Sequence, residues 1–126
     1  MIGTVEYWYN DQGYESVRSS LYRAIGQYAS RSRYIYLGLT QQRPGERFRQ
    51  HQAKWEPGHE WHRMIVIYRA RSFARMQYVE DDLIRYAQER IDRGHYACEL
   101  LNGIDSQLPM AKPDPHGFWI YILVQA

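Results

Sequence analysis

The chain has one cysteine, two lysines and no long apolar run. A single thiol, Cys98, excludes an internal disulfide framework and suits a reducing compartment. No apolar stretch approaches the roughly 20 residues that span a bilayer, so no membrane is expected as a partner. The opening MIGTVEYWYN has no basic segment and no long apolar segment. No secretory signal is therefore expected, and the expected location is cytoplasmic or nucleoid-associated.

What is present is arginine and tyrosine. Of the 16 basic residues only Lys54 and Lys112 are lysines, which leaves 14 arginines beside 12 tyrosines at a net charge of only +2. Guanidinium groups bind phosphate through two parallel hydrogen bonds and stack on aromatic rings and bases. The composition therefore leans toward nucleic acid, although a soluble domain with arginine-rich faces has the same makeup. With 126 residues, 44% of them hydrophobic, the chain can build one ordinary core and is not a disordered polymer.

Periodicity divides the chain into alternating elements. An aromatic alternation at about 3–9 predicts a strand. Val17, Leu21, Ala24, Ile25 and Tyr28 recur at helical steps, which predicts a helix over about 14–30 with Arg18 and Arg23 off its apolar stripe. RYIYLGLT predicts a second strand, broken at Gly38, and Pro44 suits the first turn of a helix running through Gln52. The continuous apolar run MIVIYRA predicts a buried central strand. The longest helix follows, with Val79, Leu83, Tyr86, Ala87 and Ile91 as its stripe and Gly94 as its stop. YACELLNG is expected to hold one more helical turn, SQLPMAKPDPHG reads as a loop, and FWIYILV reads as the fourth strand. This order predicts one α/β or α+β domain over 1–126, built on a small, mixed, largely antiparallel sheet flanked by helices.

A set of polar residues punctuates these elements. Tyr36 and Gly38 end a strand. Arg47 and His51, four residues apart, share a helical face. Glu80 flanks the apolar stripe of the longest helix, where Asp81 and Asp82 are expected to turn toward solvent. Asn102 follows in ELLNG. In that order, YLGLT, RFRQH, EDDLI and LLN resemble the motifs of the GIY-YIG nuclease domain, over roughly residues 34 to 102. The resemblance implies a further tyrosine on a strand paired with the one carrying Tyr36. The first strand offers Tyr7, with Tyr9 beside it on one face, and Tyr28 of GQY is a third choice. The predicted helix over 14–30 is then an insertion between the two strands.

The resemblance implies a metal-dependent DNA endonuclease with Tyr7, Tyr36, Arg47, His51, Glu80 and Asn102 as its catalytic set. Phosphodiester hydrolysis requires a positioned water, a base, charge stabilisation at phosphate and help for the leaving oxygen. Glu80 offers a hard oxygen to one Mg2+ or Mn2+ ion. Arg47 suits the scissile phosphate. Tyr36 is the expected base or relay, with Tyr7 and His51 adjusting its proton. Asn102 is expected to brace the site, or alternatively to cap a helix before Gly103. Gly38 is expected where a substrate or the adjacent helix approaches closely.

Arg49, Arg69, Arg71 and Arg75 are the expected contacts to the DNA backbone, with a solvated face as their plain alternative. His59 and His62 lack a second ligand pair and make a poor zinc site. Cys98 is expected in the core. Two other functional classes fit the same composition: an inactive nucleic-acid-binding module of this fold, and an assembly protein with an aromatic interface. A homodimer or a separate specificity subunit would supply the recognition that a small nuclease domain lacks.

Overall fold

The computed structural model of the protein describes residues 4–53, 61–70, 73–101 and 117–125. Eight elements alternate along them: β1 (Thr4–Asn10), α1 (Tyr14–Ala29), β2 (Tyr34–Thr40), α2 (Pro44–Ala53), β3 (Arg63–Ala70), α3 (Phe73–Asp92), β4 (Glu99–Leu100) and β5 (Phe118–Gln125). The strands form one mixed sheet in the order β1-β3-β5-β2-β4. The fold is therefore α+β, with three helices against a five-stranded sheet.

Hydrophobicity explains which strands are central. β2, β3 and β5 carry near-continuous apolar runs and are buried along almost their whole length. A strand apolar on both faces gains most where both faces are covered. β5 accordingly lies between β3 and β2, antiparallel to each. The polar, alternating β1 takes the edge, parallel to β3, and is mostly exposed. The other edge is β4, parallel to β2, with Glu99 and Leu100 opposite Tyr34 and Ile35. A strand stands here where a helical turn is expected, because the Glu99 and Leu101 amides donate to the carbonyls of Arg33 and Ile35. Thr4 and Val124 both bond His62, which leads into β3, so β1 begins and β5 ends at the same end of the sheet.

The two sheet faces have different roles. On one face α1 and α3 bury Val17, Leu21, Ile25, Val79, Leu83 and Ala87 against Ile35, Leu37, Ile65, Ile122 and their neighbours, with Cys98 in the same core. On the other face a smaller core gathers Tyr36, Phe48, Trp61, Met64, Val66, Trp119, Tyr121 and Leu123. Phe48 brings α2 onto this second face.

A bulge in β3 decides what lies at one end of the second face. Val66 pairs with Tyr121 and Tyr68 with Ile120, so Ile67 is one residue too many. Ile67 and Tyr68 both join the helix-side core. Arg69, which strict alternation would send to that core, instead lies over the Trp119 ring, 5.2 Å from its centroid. Re-aiming a side chain is a recognised use of a bulge.

Asp82 overturns one expectation. It does not face solvent but is 6% exposed, turned into the α1–α3 seam. Its carboxylate accepts from Tyr14 Oη at 2.5 Å, Tyr22 Oη at 2.6 Å and Arg18 at 2.9 and 3.0 Å. Burial pushes its pKa up, but the hydrogen bonds from the two phenols and the guanidinium outweigh that and hold it below the ordinary value. Arg18 and Tyr22, four residues apart on α1, reach Asp82 together, and Tyr22 stacks on Tyr86 of α3 at 3.8 Å. One carboxylate thus ties two helices with four hydrogen bonds.

Replacing Asp82 by Ala leaves a buried phenol, a half-buried one and a cation without their acceptor, at an expected loss of about 2–4 kcal/mol in urea unfolding near neutral pH. A folded-state pKa below the ordinary one stabilises above that ordinary value and is lost as pH falls through the folded value. The gap between wild type and Asp82→Asn should therefore narrow in acid. A constant gap between neutral pH and pH ~3 would contradict the charged assignment.

Candidate functional site

The C-terminal half of β2, the middle of β5 and one face of α2 converge on the second sheet face. Arg47 and His51, one helical turn apart, both point inward, and Arg47 is only 4% exposed. A buried guanidinium requires acceptors, and it has them. Nη1 donates to Gln50 Oε1 at 3.0 Å and Gln42 Oε1 at 3.5 Å, and Nε donates to Tyr121 Oη at 3.4 Å. His51 Nε2 lies 2.7 Å from the same Tyr121 hydroxyl. Tyr36 packs its ring edge-on to His51 at 4.7 Å and stacks on Tyr121 at 6.2 Å and 23°. Tyr36, Arg47, His51 and Tyr121 are thus one contact network.

Gly38 makes this arrangement possible. It stands opposite Tyr121 in the β2–β5 register. A Cβ placed at Gly38 would fall on Cζ and Oη of the Tyr121 ring. The close approach expected at this glycine is therefore made by neither substrate nor helix but by an aromatic ring from the adjoining strand.

Glu80 comes from α3, on the far side of the sheet, and reaches the strand end from there. Burial first and the neighbouring Asp81 second raise its pKa from 4.5 to about 7, against a hydrogen bond from the Leu39 backbone and the charge of Arg47, which both lower it. Those opposing influences place the carboxyl beside the end of β2 and within the field of Arg47. A carboxyl near pKa 7 changes charge in the physiological range, as acid–base groups at functional sites do. Among the described residues no three His, Cys, Asp or Glu side chains gather at one place, and the carboxylate beside Glu80 is that of Asp81.

The other expected residues are scattered. Tyr7 is 53% exposed on β1, which pairs with β3, so two strands separate it from β2. The expectation that the first strand pairs with the strand of Tyr36 fails, because the apolar β5 outcompetes the polar β1 for the central place. The tyrosine on the strand that does pair with β2 is Tyr121, within Trp119-Ile120-Tyr121. Tyr9 lies with Tyr7 at the sheet edge, and Tyr28 lies on α1 under the Arg63 guanidinium, against the opposite face. Arg49 and Arg75 are exposed and Arg69 is partly so. Asn102, Arg71 and His59 lie outside the described residues.

Sequence pattern alone does not single out Tyr121. The usable signal is a tyrosine at the middle of the most apolar strand, where a phenol demands a partner. No protein-family model, no curated protein and no solved structure matches this chain.

Gly38→Ala should displace the Tyr121 ring and cost about 1–3 kcal/mol, as overpacking does. Tyr121→Phe should keep the sheet but shift the imidazole 15N resonance of His51, since Nε2 loses its partner. A His51 spectrum unchanged in both variants would contradict this geometry.

Proposed function

We propose that this chain is a metal-dependent DNA endonuclease with a GIY-YIG-like site, hydrolysing phosphodiester bonds through Tyr121, Tyr36, His51, Arg47 and Glu80. The observation that carries the reading is the meeting of two phenols, an imidazole, a guanidinium and a carboxyl from four different elements at the end of β2. Separations of 33 residues between Arg47 and Glu80, and 70 between His51 and Tyr121, are bridged only by the fold.

Each group has a defined part. Water adds to phosphorus, and the bond from phosphorus to the 3′ oxygen breaks. The water's proton passes to the Tyr121 oxygen as the proton of Tyr121 passes to His51 Nε2, 2.7 Å away. The Arg47 guanidinium, donating to the same oxygen, favours the phenolate character this transfer needs. Tyr36 fixes the Tyr121 ring plane by stacking and holds the imidazole by its edge contact. The leaving oxygen takes a proton from solvent. Glu80 is the residue that would hold a divalent cation, and a single carboxylate ligand fits a Mg2+ or Mn2+ ion that keeps most of its water. When bound, such an ion supplies charge stabilisation for the departing oxygen and the non-bridging oxygens.

One observation favours a second reading. Tyr36 and Arg47 are each 4% exposed and Tyr121 is fully buried, as in a packed core. An inactive nucleic-acid-binding module would carry the same network as internal bracing.

Cleavage of supercoiled plasmid with Mg2+ separates the two. Under the nuclease reading wild type nicks DNA, Glu80→Gln loses at least about 100-fold, and at limiting Mg2+ the rate rises from pH 6 to 8, where protons compete with the cation for a carboxyl whose own pKa is about 7. Stability moves the opposite way. A carboxyl raised from 4.5 to about 7 loses folded-state stability as pH climbs between those values. Glu80→Gln should therefore be the more stable protein at pH 8, by about 1–3 kcal/mol, and little different at pH 4.5. DNA binding without cleavage under either metal would select the inactive module.

A further inference from the structure

The end of the second sheet face next to the site carries aromatic surface that the proposed hydrolysis does not use. Tyr7 and Tyr9 are 53% and 38% exposed, yet they are not loose. Both rings stand edge-on to Trp119, at 6.4 Å and 77° for Tyr7 and 5.1 Å and 88° for Tyr9. Trp119 itself is buried, and the Arg69 guanidinium covers its ring. The β3 bulge is what brings Arg69 to this face. Trp119 precedes Tyr121 by two residues on β5, so the two share a sheet face with their backbones about 7 Å apart. At the far end of this aromatic surface Arg69 and Arg75 line a cavity of about 300 Å3, together with Asp11, Gln12, Gly13, Tyr68 and Ala70.

We propose that Tyr7 and Tyr9, propped by Trp119 and Arg69, form a stacking strip for unpaired bases of single-stranded DNA, with a backbone phosphate seated between Arg69 and Arg75. The choice of DNA as ligand rests on the nuclease reading, and the strip gives single strands and duplexes with a single-stranded flank the tighter binding. Ring faces can stack only on bases whose own faces are open. In a duplex those faces are covered, and a protein meets base edges in the grooves instead. Exposed phenols held by a rigid ring lose little freedom on binding, and guanidinium groups beside them match the charge of the strand.

Fluorescence anisotropy tests this with Glu80→Gln protein without added metal, so that binding is read apart from cleavage. The probes are a labelled oligothymidine of about 12 nucleotides and a duplex of equal length, within the span that such grooves occupy. The single strand should bind at least about tenfold tighter than the duplex. Adding Tyr7→Ala and Tyr9→Ala should weaken single-strand binding by about tenfold to a hundredfold and leave duplex binding within about twofold. Tyr9→Trp, which keeps a ring, should restore most of it. Both tyrosines are exposed, and thermal unfolding of the double variant confirms that the fold survives.

Equal affinity for the two probes, or an unaffected double variant, overturns the proposal. So does a concentration-dependent dimer in sedimentation that the double variant abolishes without any single-strand preference, since the strip is then a protein interface. Wild-type cleavage without single-strand preference sinks the strip alone. Ring-dependent single-strand preference with no cleavage under any metal sinks the nuclease reading and leaves the strip.

Discussion

A ring of one residue lies where another residue has no side chain. Tyr121 rests on the bare backbone of Gly38, and from that seat its hydroxyl meets both His51 and Arg47. Any Cβ on β2 at this position would push the phenol off the sheet. The contact also fixes the relation of three elements. β2 supplies the gap, β5 supplies the ring, and α2 supplies the two groups that converge on the hydroxyl. The cross-strand register is therefore as much a part of the site as the side chains. A slip of one residue would turn Tyr121 to the opposite face.

The two faces of the sheet are held by different physics. Against α1 and α3 the cohesion is mainly apolar, with a buried polar tie at Asp82. The Asp82 carboxylate receives hydrogen bonds from two phenols and a guanidinium. On the α2 face, phenol, imidazole and guanidinium share a single hydroxyl, and Glu80 stands nearby with a pKa close to neutrality. The division has a rationale in stability: a firm helical layer lets the opposite layer carry buried polar groups whose burial is costly.

Much of this architecture was legible in the residues. Val17, Leu21 and Ile25, and Val79, Leu83 and Ala87, mark helical core stripes by spacing alone, and the structure buries them all. Arg47 and His51 share a face because four residues make about one turn. Neighbours in space but not in sequence were harder to read. Nothing local distinguishes β1 from β5 as the partner of β2. The outcome depends on which strand gains more from being covered on both faces, a comparison over the whole sheet. Asp82 shows the same limit on a smaller scale, since its burial depends on Tyr14, Tyr22 and Arg18, which lie 60 or more residues away. The strand at Glu99–Leu100 is too short to show any period. The bulge at Ile67 left no trace in the apolar run of β3.

The shared bonding of Thr4 and Val124 to His62 bears on how chain order relates to architecture. First and last strands flank β3 at the same end of the sheet, roughly 10 Å apart at two interstrand spacings. A few residues would suffice to join them, and the ring so closed could be opened elsewhere without disturbing a single strand pairing. Opened just before β5, it would run β5, β1, α1, β2, with the WIY segment upstream of YLG. The order in which the two tyrosine-bearing strands are translated is thus independent of the geometry in which they meet.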